Sequence, residues 1–545
     1  MAAPVERNVR RDDEAGLAMG ETLARFGPVC SLPNMLRSSG MATPVRCAVV
    51  LFGLLLAGGL PSGSQLPSSV PRTWDDERMA DLELPLARPE FTLQQVSSDY
   101  YYRIPIRPVY RTYPVYARDR EPAGYMERLA GLDPVEVFDP RTLKTEEDWI
   151  RAGELVFDTP ILIEAPFTRD GIRHPRFVET TKVVVAPDGT LPYLRYIVRA
   201  KGKVELGGFA CGMCHTRVMP DGTIIKGAQG NFPGDRVTAF NVREQARADL
   251  PGTLAVERQA ARTLFQTPWT PPDLRLERWI AAGLDEFLAV YEAIPPGVFA
   301  RHRASVFSPP QLPDLIGVQH RRYLDRTGIQ QQRDIADLMR YAALNQGADD
   351  LGSYGGFIPA ADDFKTPPAP TSQLRYSDEQ LYALARYVYS LKPPQNPNRR
   401  DAVSDRGEAV FRSQGCPSCH TPPYYTSNKL LPAPGFNVPA EHRKKYDVLD
   451  VPIGTDPTLT LQTRRGSGYY KVPSLLGVWY RGPFEHNGSI ATLEDWFDAQ
   501  RLRSDYVPTG WTWPPGQPRT VPGHEFGLRL TPGDKRALIA FLRTL

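Results

Sequence analysis

The sequence predicts a mainly α-helical chain in which one structural plan is carried out twice, with a small β-hairpin inserted in the first copy and an extended arm before it. Three observations carry this prediction. The run Gly153-Glu154-Leu155-Val156-Phe157 recurs as Gly407-Glu408-Ala409-Val410-Phe411. Each run precedes a Cys-x-x-Cys-His motif, at 211–215 and 416–420. Each copy then closes on a similar amphipathic segment, DEQLYALARYVYSL at 378–391 and PGDKRALIAFLRTL at 532–545. Self-similarity of this kind marks a repeated unit.

The closing segments align position by position: Ala383 with Ala537, Leu384 with Leu538, Tyr387 with Phe541, Val388 with Leu542 and Leu391 with Leu545. Apolar residues at that spacing make one buried face of a helix. Ser377 followed by Gln380, and Thr531 followed by Asp534, are N-terminal capping signals. Pro393-Pro394 ends the first closing helix, and PPQNPNRR at 393–400 reads as a linker. The units are therefore placed at 141–394 and 395–545. Within the first, the segment 174–205 alternates in two runs, Thr181 to Val185 and Tyr193 to Val198, split by Pro187-Asp188-Gly189, which predicts a hairpin. Helices are expected near 276–292 and 331–345. Residues 65–140 are rich in proline, tyrosine and arginine, with some alternation but no helical period, and read as an extended arm or short strands wrapped on a neighbouring domain.

The hydrophobic fraction of 41% and charged fraction of 23% are those of a globular protein with real cores. A net charge of +3 gives no field that calls for nucleic acid. The tyrosine–arginine arm fits packing against protein better than stacking on single-stranded nucleic acid. Residues 47–60, CAVVLFGLLLAGGL, follow Arg46 and precede Pro61-Ser62-Gly63-Ser64. That is the basic, apolar, small-residue order of a secretory signal, and the run is too short to span a bilayer comfortably. Region 1–64 is read as an export region whose true start is Met35 or Met41. The mature chain is expected in the periplasm with no membrane span. Of six cysteines, four lie in the two motifs; the others, Cys30 and Cys47, leave with the export region, so no disulfide is expected.

In Cys-x-x-Cys-His, two thiols bond to the vinyl groups of a haem and the next residue ligates its iron. A four-thiolate zinc site pairs its Cys-x-x-Cys knuckles closer together in sequence and leaves both histidines unexplained. A thioredoxin-like redox pair requires a βαβ setting that is missing here. The fold class is thus two cytochrome c-type haem domains in tandem. Two covalently bound haem c groups are expected, one at Cys211, Cys214 and His215 and one at Cys416, Cys419 and His420.

The second unit carries a longer signature, Lys471-Val-Pro-Ser-Leu-Leu-Gly-Val-Trp-Tyr-Arg-Gly-Pro-Phe-Glu-His-Asn-Gly-Ser-Ile-Ala-Thr-Leu-Glu-Asp495. It resembles the V-P-S-L…P-Y-F-H-[DN]-G-S…T-L-E-[DE] block of bacterial dihaem cytochrome c peroxidases, versions of which occur in MauG-type enzymes and dihaem rubber oxygenases. His524-Glu525-Phe526-Gly527 and the final helix fit as well. The resemblance spans about 400–545, is weaker over 145–392 and does not reach 65–140. It implies one haem that relays electrons and one with an open or displaceable position where peroxide or oxygen reacts. Pro473, Phe484, His486 and Gly488 fall on the family's block beside the second haem, and His486 is the candidate catalytic residue.

Two departures stand out. Family peroxidases hold the second iron with a methionine beyond this block, but no methionine follows Met339. The sixth ligand there is left to His442, His486, His524, a tyrosine or nothing. The family's first haem has a distal histidine soon after its motif; here the next is His302, and the candidates are His302, His320 and Met339. Met219 stands too close to His215 to reach across a ring. The family's relay tryptophan falls on Trp269 or Trp279. A calcium ion lies between the haem domains of relatives, though no ligand cluster for it is evident in the sequence. The expected function is an exported dihaem oxidoreductase acting on peroxide or oxygen. The alternatives are a pure electron carrier or the cytochrome subunit of a dehydrogenase. A small cytochrome, a cupredoxin or a dehydrogenase is the expected redox partner.

Overall fold

The opening helix of each unit is fixed by its first residues. Thr145 and Asp148 form a reciprocal capping box at the start of Glu146–Asp158, as do Asp401 and Ser404 at the start of Ala402–Ser413. The closing helices are Asp378–Ser390, with a Ser377–Gln380 box, and Pro532–Arg543, where the Thr531 side chain accepts from the Asp534 amide. Opening and closing helices cross at a glycine in both units. A Cβ built on Gly153 would stand 2.0 Å from the Ala383 carbonyl oxygen and 2.7 Å from the Tyr387 Cβ. On Gly407 it would stand 1.9 Å from the Ala537 oxygen and 2.8 Å from the Phe541 Cβ. These are the positions that the sequence alignment pairs. One turn further on, Phe157 meets Tyr387 at 5.2 Å and Phe411 meets Phe541 at 5.3 Å, centroid to centroid. The repeat is therefore a repeat of contacts as well as of letters.

This computed structural model describes residues 69–91, 93–265, 273–300, 306–347, 351–358, 374–451, 453–463 and 465–545. The export region with Cys30 and Cys47, Trp269 and His302 lie outside them. Helix predominates, and strands are confined to small sheets. Among the described residues, no helix is long and apolar enough to cross a membrane.

The hairpin is present but displaced. Strand Thr190–Ala200 pairs antiparallel with Lys203–Gly208, not with the 181–185 run. Lys201-Gly202 makes the turn, with Gly202 at φ +83°, a conformation glycine adopts without strain. Phe177–Thr181 is a helix, and Val183 is buried beside the sheet rather than in it. The Pro187-Asp188-Gly189 turn forms, but it leads into a strand instead of joining two. The other neighbour of Thr190–Ala200 is Thr112–Tyr116, which comes from the expected extended arm.

That arm is also partly helical, at Asp76–Ala80, Ser98–Arg103 and Tyr125–Ala130. Trp74 and Tyr101 are fully buried and stacked at 4.3 Å. Tyr102 and the Thr73 amide donate to Asp378, in the first turn of the closing helix. The arm is thus part of the first unit's core. The expected 276–292 helix is two helices, Leu274–Ala281 and Leu284–Ala293, parted at Ala282-Gly283. Two more, Gly234–Ala246 and Leu250–Phe265, pack with them. Ile335–Asn345 forms within the expected 331–345 segment. The described residues of both repeats pack into one compact body. The two repeats are bridged by hydrogen bonds from Arg217 to the Gly482 carbonyl (3.1 Å) and from Gln229 to the Pro483 carbonyl (3.1 Å).

Candidate functional site

Cys211–Cys214 is a single helical turn directly after strand Lys203–Gly208. Cys416–Ser418 is a tighter turn after the second opening helix, with Gly415 at φ +73° making the corner. None of the four cysteines forms a disulfide. The following histidine is oriented in the same way in both motifs. Nδ1 of His215 lies 3.0 Å from the Pro313 carbonyl, and Nδ1 of His420 lies 3.2 Å from that of Tyr425. A carbonyl only accepts, so Nδ1 carries the proton and Nε2 is left as a ligand. Burial brings both imidazoles down to about 4, which keeps the neutral, ligand-competent form at ordinary pH.

Each motif borders a cavity of about 210 Å³, partly open to solvent. Their walls correspond: Phe157, Leu384 and Val388 in one, Phe411, Leu538 and Leu542 in the other.

Arg326 and Gln311 belong to both walls. Around Arg326, Arg321, Lys471 and Arg481 gather in the space beside the cavities. Their hydrogen bonds run mostly to main-chain carbonyls: Arg326 to Gln311 and Leu312, Arg321 to Ile316, Arg481 to Ser474, and Lys471 to Tyr323. Asp314 comes only within 4.0 Å of Arg321 and also accepts from the Tyr480 hydroxyl. Burial, together with repulsion from Arg481 and Arg321, brings Arg326 down to about 9. Burial pulls Lys471 well down too. Four half-buried cations beside the two carboxylates of Asp314 and Asp325 leave an excess of positive charge along the cavities. A haem brings two carboxylates. A thiol pair, an imidazole with Nε2 available, apolar walls and a cationic strip shared by both cavities together fit one haem at each motif.

No protein-family model matches the sequence, and no curated protein matches it. Among solved structures, the hydrazine synthase of Kuenenia stuttgartiensis matches with 15% identity and a TM-score of 0.27, over 54% of this chain and 87% of its own. A MauG-like protein associated with microbial copper homeostasis matches with 18% identity and a TM-score of 0.26, over 53% and 88%. Likenesses this slight leave the functional reading to the site itself.

His486 lies in the wall of the second cavity. Its Nδ1 is 2.5 Å from Glu485 and 3.2 Å from the Thr455 hydroxyl, and its ring stacks on Tyr470 at 4.4 Å. Pro473 and Phe484 share that wall, and Gly488, at φ +72°, abuts Val298. Burial alone would raise the Glu485 carboxyl. The His486 charge and hydrogen bonds from His486 and Thr455 outweigh it and hold Glu485 at about 2. Because the folded value is depressed, this stabilisation is complete above the ordinary carboxylate range and fades as pH falls toward 2. Glu485→Gln should therefore be less stable than the parent at pH 7. Urea unfolding across pH 3–7 should show the gap to the parent narrowing below pH 4.

The candidates His320, Met339, Trp279 and His442 lie away from both cavity walls. His320 is exposed and stacks on Tyr424 at 4.0 Å, away from both cavity walls. Met339 is fully buried outside the cavity wall, where Leu338, Tyr341, Ala342 and Asn345 form the helix face that lines the first cavity. Trp279 stacks on Phe287 at 4.5 Å and donates to its carbonyl, deep in a helical core that borders neither cavity. His442 is paired with the Tyr469 hydroxyl at 3.0 Å, also off both walls. Among the described residues no cluster of three or more acidic, histidine or cysteine groups could hold a metal ion. The cationic strip carried no sequence signal, since its members are spread from 321 to 481.

Proposed function

We propose that the chain is an exported c-type cytochrome with two covalently held haems, acting as an oxidoreductase of the cytochrome c peroxidase/MauG kind on peroxide or oxygen at the first motif. One observation carries the choice of motif. Among the described residues lining the first cavity, His215 is the only imidazole, and no methionine or lysine joins it. A haem c supplies one-electron chemistry and, where its iron has an open position, a binding place for a small oxidant.

The chain's own residues supply the rest. Cys211 and Cys214 tether the group, and the Pro313 carbonyl keeps His215 in the ligating tautomer. Leu338, Ala342 and Leu384 form an apolar wall that limits bulk water. Tyr341, Asn345 and Gln346 add polar groups to it. The Gln346 Oε1 is buried without a hydrogen-bond partner and is an acceptor for a proton-bearing ligand. Reduction of one peroxide to two waters takes two electrons and two protons. The electrons come from an outside one-electron donor, a small cytochrome or cupredoxin. His486 borders the other cavity, where its place is structural rather than as acid or base to the oxidant.

Titration of the reduced protein with carbon monoxide tests this. One carbon monoxide per two haems is expected, with a matching high-spin fraction in the oxidised spectrum. No binding would mean that both irons are closed, and the chain would then be an electron carrier.

A further inference from the structure

We propose that His524 is the sixth ligand of the iron carried by Cys416, Cys419 and His420, so that this second haem is held between two histidines and closed. The inference rests on the haem reading above and names a ligand that reading leaves open.

The geometry is specific. The ring centroids of His420 and His524 lie 6.3 Å apart, with the planes tilted at 59°. Both residues line the same cavity. A metal–imidazole bond is about 2 Å long, so one ion between two imidazoles, with the distance from each nitrogen to its ring centre added, separates the centroids by roughly 6 Å. Nitrogens aimed at each other from this separation stand roughly 4 Å apart, too far for a hydrogen bond. The pair is spaced for a shared ion and not for direct contact.

The local structure of His524 points the same way. It adopts φ +46°, a region that residues with a side chain seldom occupy and that is found where surrounding structure enforces it. The enforcing group is Arg501, 1% exposed, which donates to the carbonyls of Trp496 (3.0 Å), Val521 (2.6 Å), Gly523 (2.8 Å) and His524 itself (2.8 Å). Trp496 and Phe526 flank the imidazole at 5.2 and 5.4 Å. Its Nδ1 is buried without a hydrogen-bond partner. A buried cation and a strained backbone thus fix this imidazole in the cavity wall. His486, the other histidine of the cavity, is engaged through Nδ1 by Glu485 and Thr455 and stacked on Tyr470, and its Nε2 is likewise buried without a hydrogen-bond partner; among the described residues it is His524 whose ring stands paired with that of His420.

Two histidine ligands lower a haem's reduction potential relative to histidine and methionine. The second haem would then be a low-potential relay that binds no oxidant.

The test uses the full-length holoprotein, with His524→Gly and His524→Met beside the parent. Glycine accepts the positive φ, so the first variant removes the imidazole without adding strain. Two haems per chain are first verified in each by the pyridine haemochrome. His524→Gly should turn the second haem high-spin, bind one more carbon monoxide per chain than the parent, and revert on adding imidazole. His524→Met should stay low-spin with a raised potential. The expected gain of one carbon monoxide holds whether the parent binds one or none, so it is independent of whether the first haem is open. Two haems with unchanged spin state and carbon monoxide stoichiometry in His524→Gly would overturn the ligand assignment. A parent lacking the second haem would overturn the haem reading and this inference with it.

Discussion

Adding one methyl group at Gly407 should unfold the second unit under conditions where the parent is stable, and Gly153→Ala should do the same to the first. In both, the new Cβ would lie 2 Å or less from a main-chain carbonyl of the closing helix, at Ala537 or Ala383. A backbone atom cannot swing aside as a side-chain tip does. The helices must separate, and they would draw apart Phe411 from Phe541 or Phe157 from Tyr387. Overpacking that moves backbone costs about 3 kcal/mol or more. Gly283→Ala is the control. Its Cβ meets nothing within 4 Å, and its φ of −68° suits alanine. That change should be neutral or slightly stabilising, by under about 1 kcal/mol. Urea unfolding followed by circular dichroism separates the three.

The second large effect is expected in the cationic strip. Arg326→Glu sets a carboxylate where the account places haem carboxylates, among Arg321, Lys471 and Arg481 and in both cavity walls. Breaking a buried charge arrangement from one side costs about 3–5 kcal/mol, so holoprotein yield and haem content should both fall. Arg326→Met keeps much of the volume and introduces no repulsion. It should yield protein with two haems. If glutamate were tolerated as well as methionine, with haem content unchanged, the strip would not be an anion site.

The sequence showed what repeats. Gly153 and Gly407, the two motifs, and the paired faces of the closing helices were legible because close helix crossings and haem attachment both demand particular residues at particular spacings. The capping pairs at Ser377 and Thr531 were equally readable, since they act within four residues. Elements whose partners are remote in sequence were not. Val183 to Val185 read as a strand by composition, yet Thr190–Ala200 is flanked by 203–208 and by 112–116, and only the tertiary fold decides that. The arm read as extended because Trp74 and Tyr101 find their stack in a core completed near residue 380. At the site, helical spacing places Leu338, Tyr341, Ala342 and Asn345 on one face, but only the fold shows that this face, and not that of Met339, borders the cavity. The pairing of His420 and His524 across a hundred residues left no trace in local pattern.

The intact mass of the purified mature protein, read with its pyridine haemochrome, tests the central claim most directly. The expected result is a polypeptide heavier by two haems. Replacing Cys211 and Cys214 by alanine should remove one, and replacing Cys416 and Cys419 should remove the other. A mass equal to the polypeptide alone, or cysteine pairs that hold zinc instead, would contradict it.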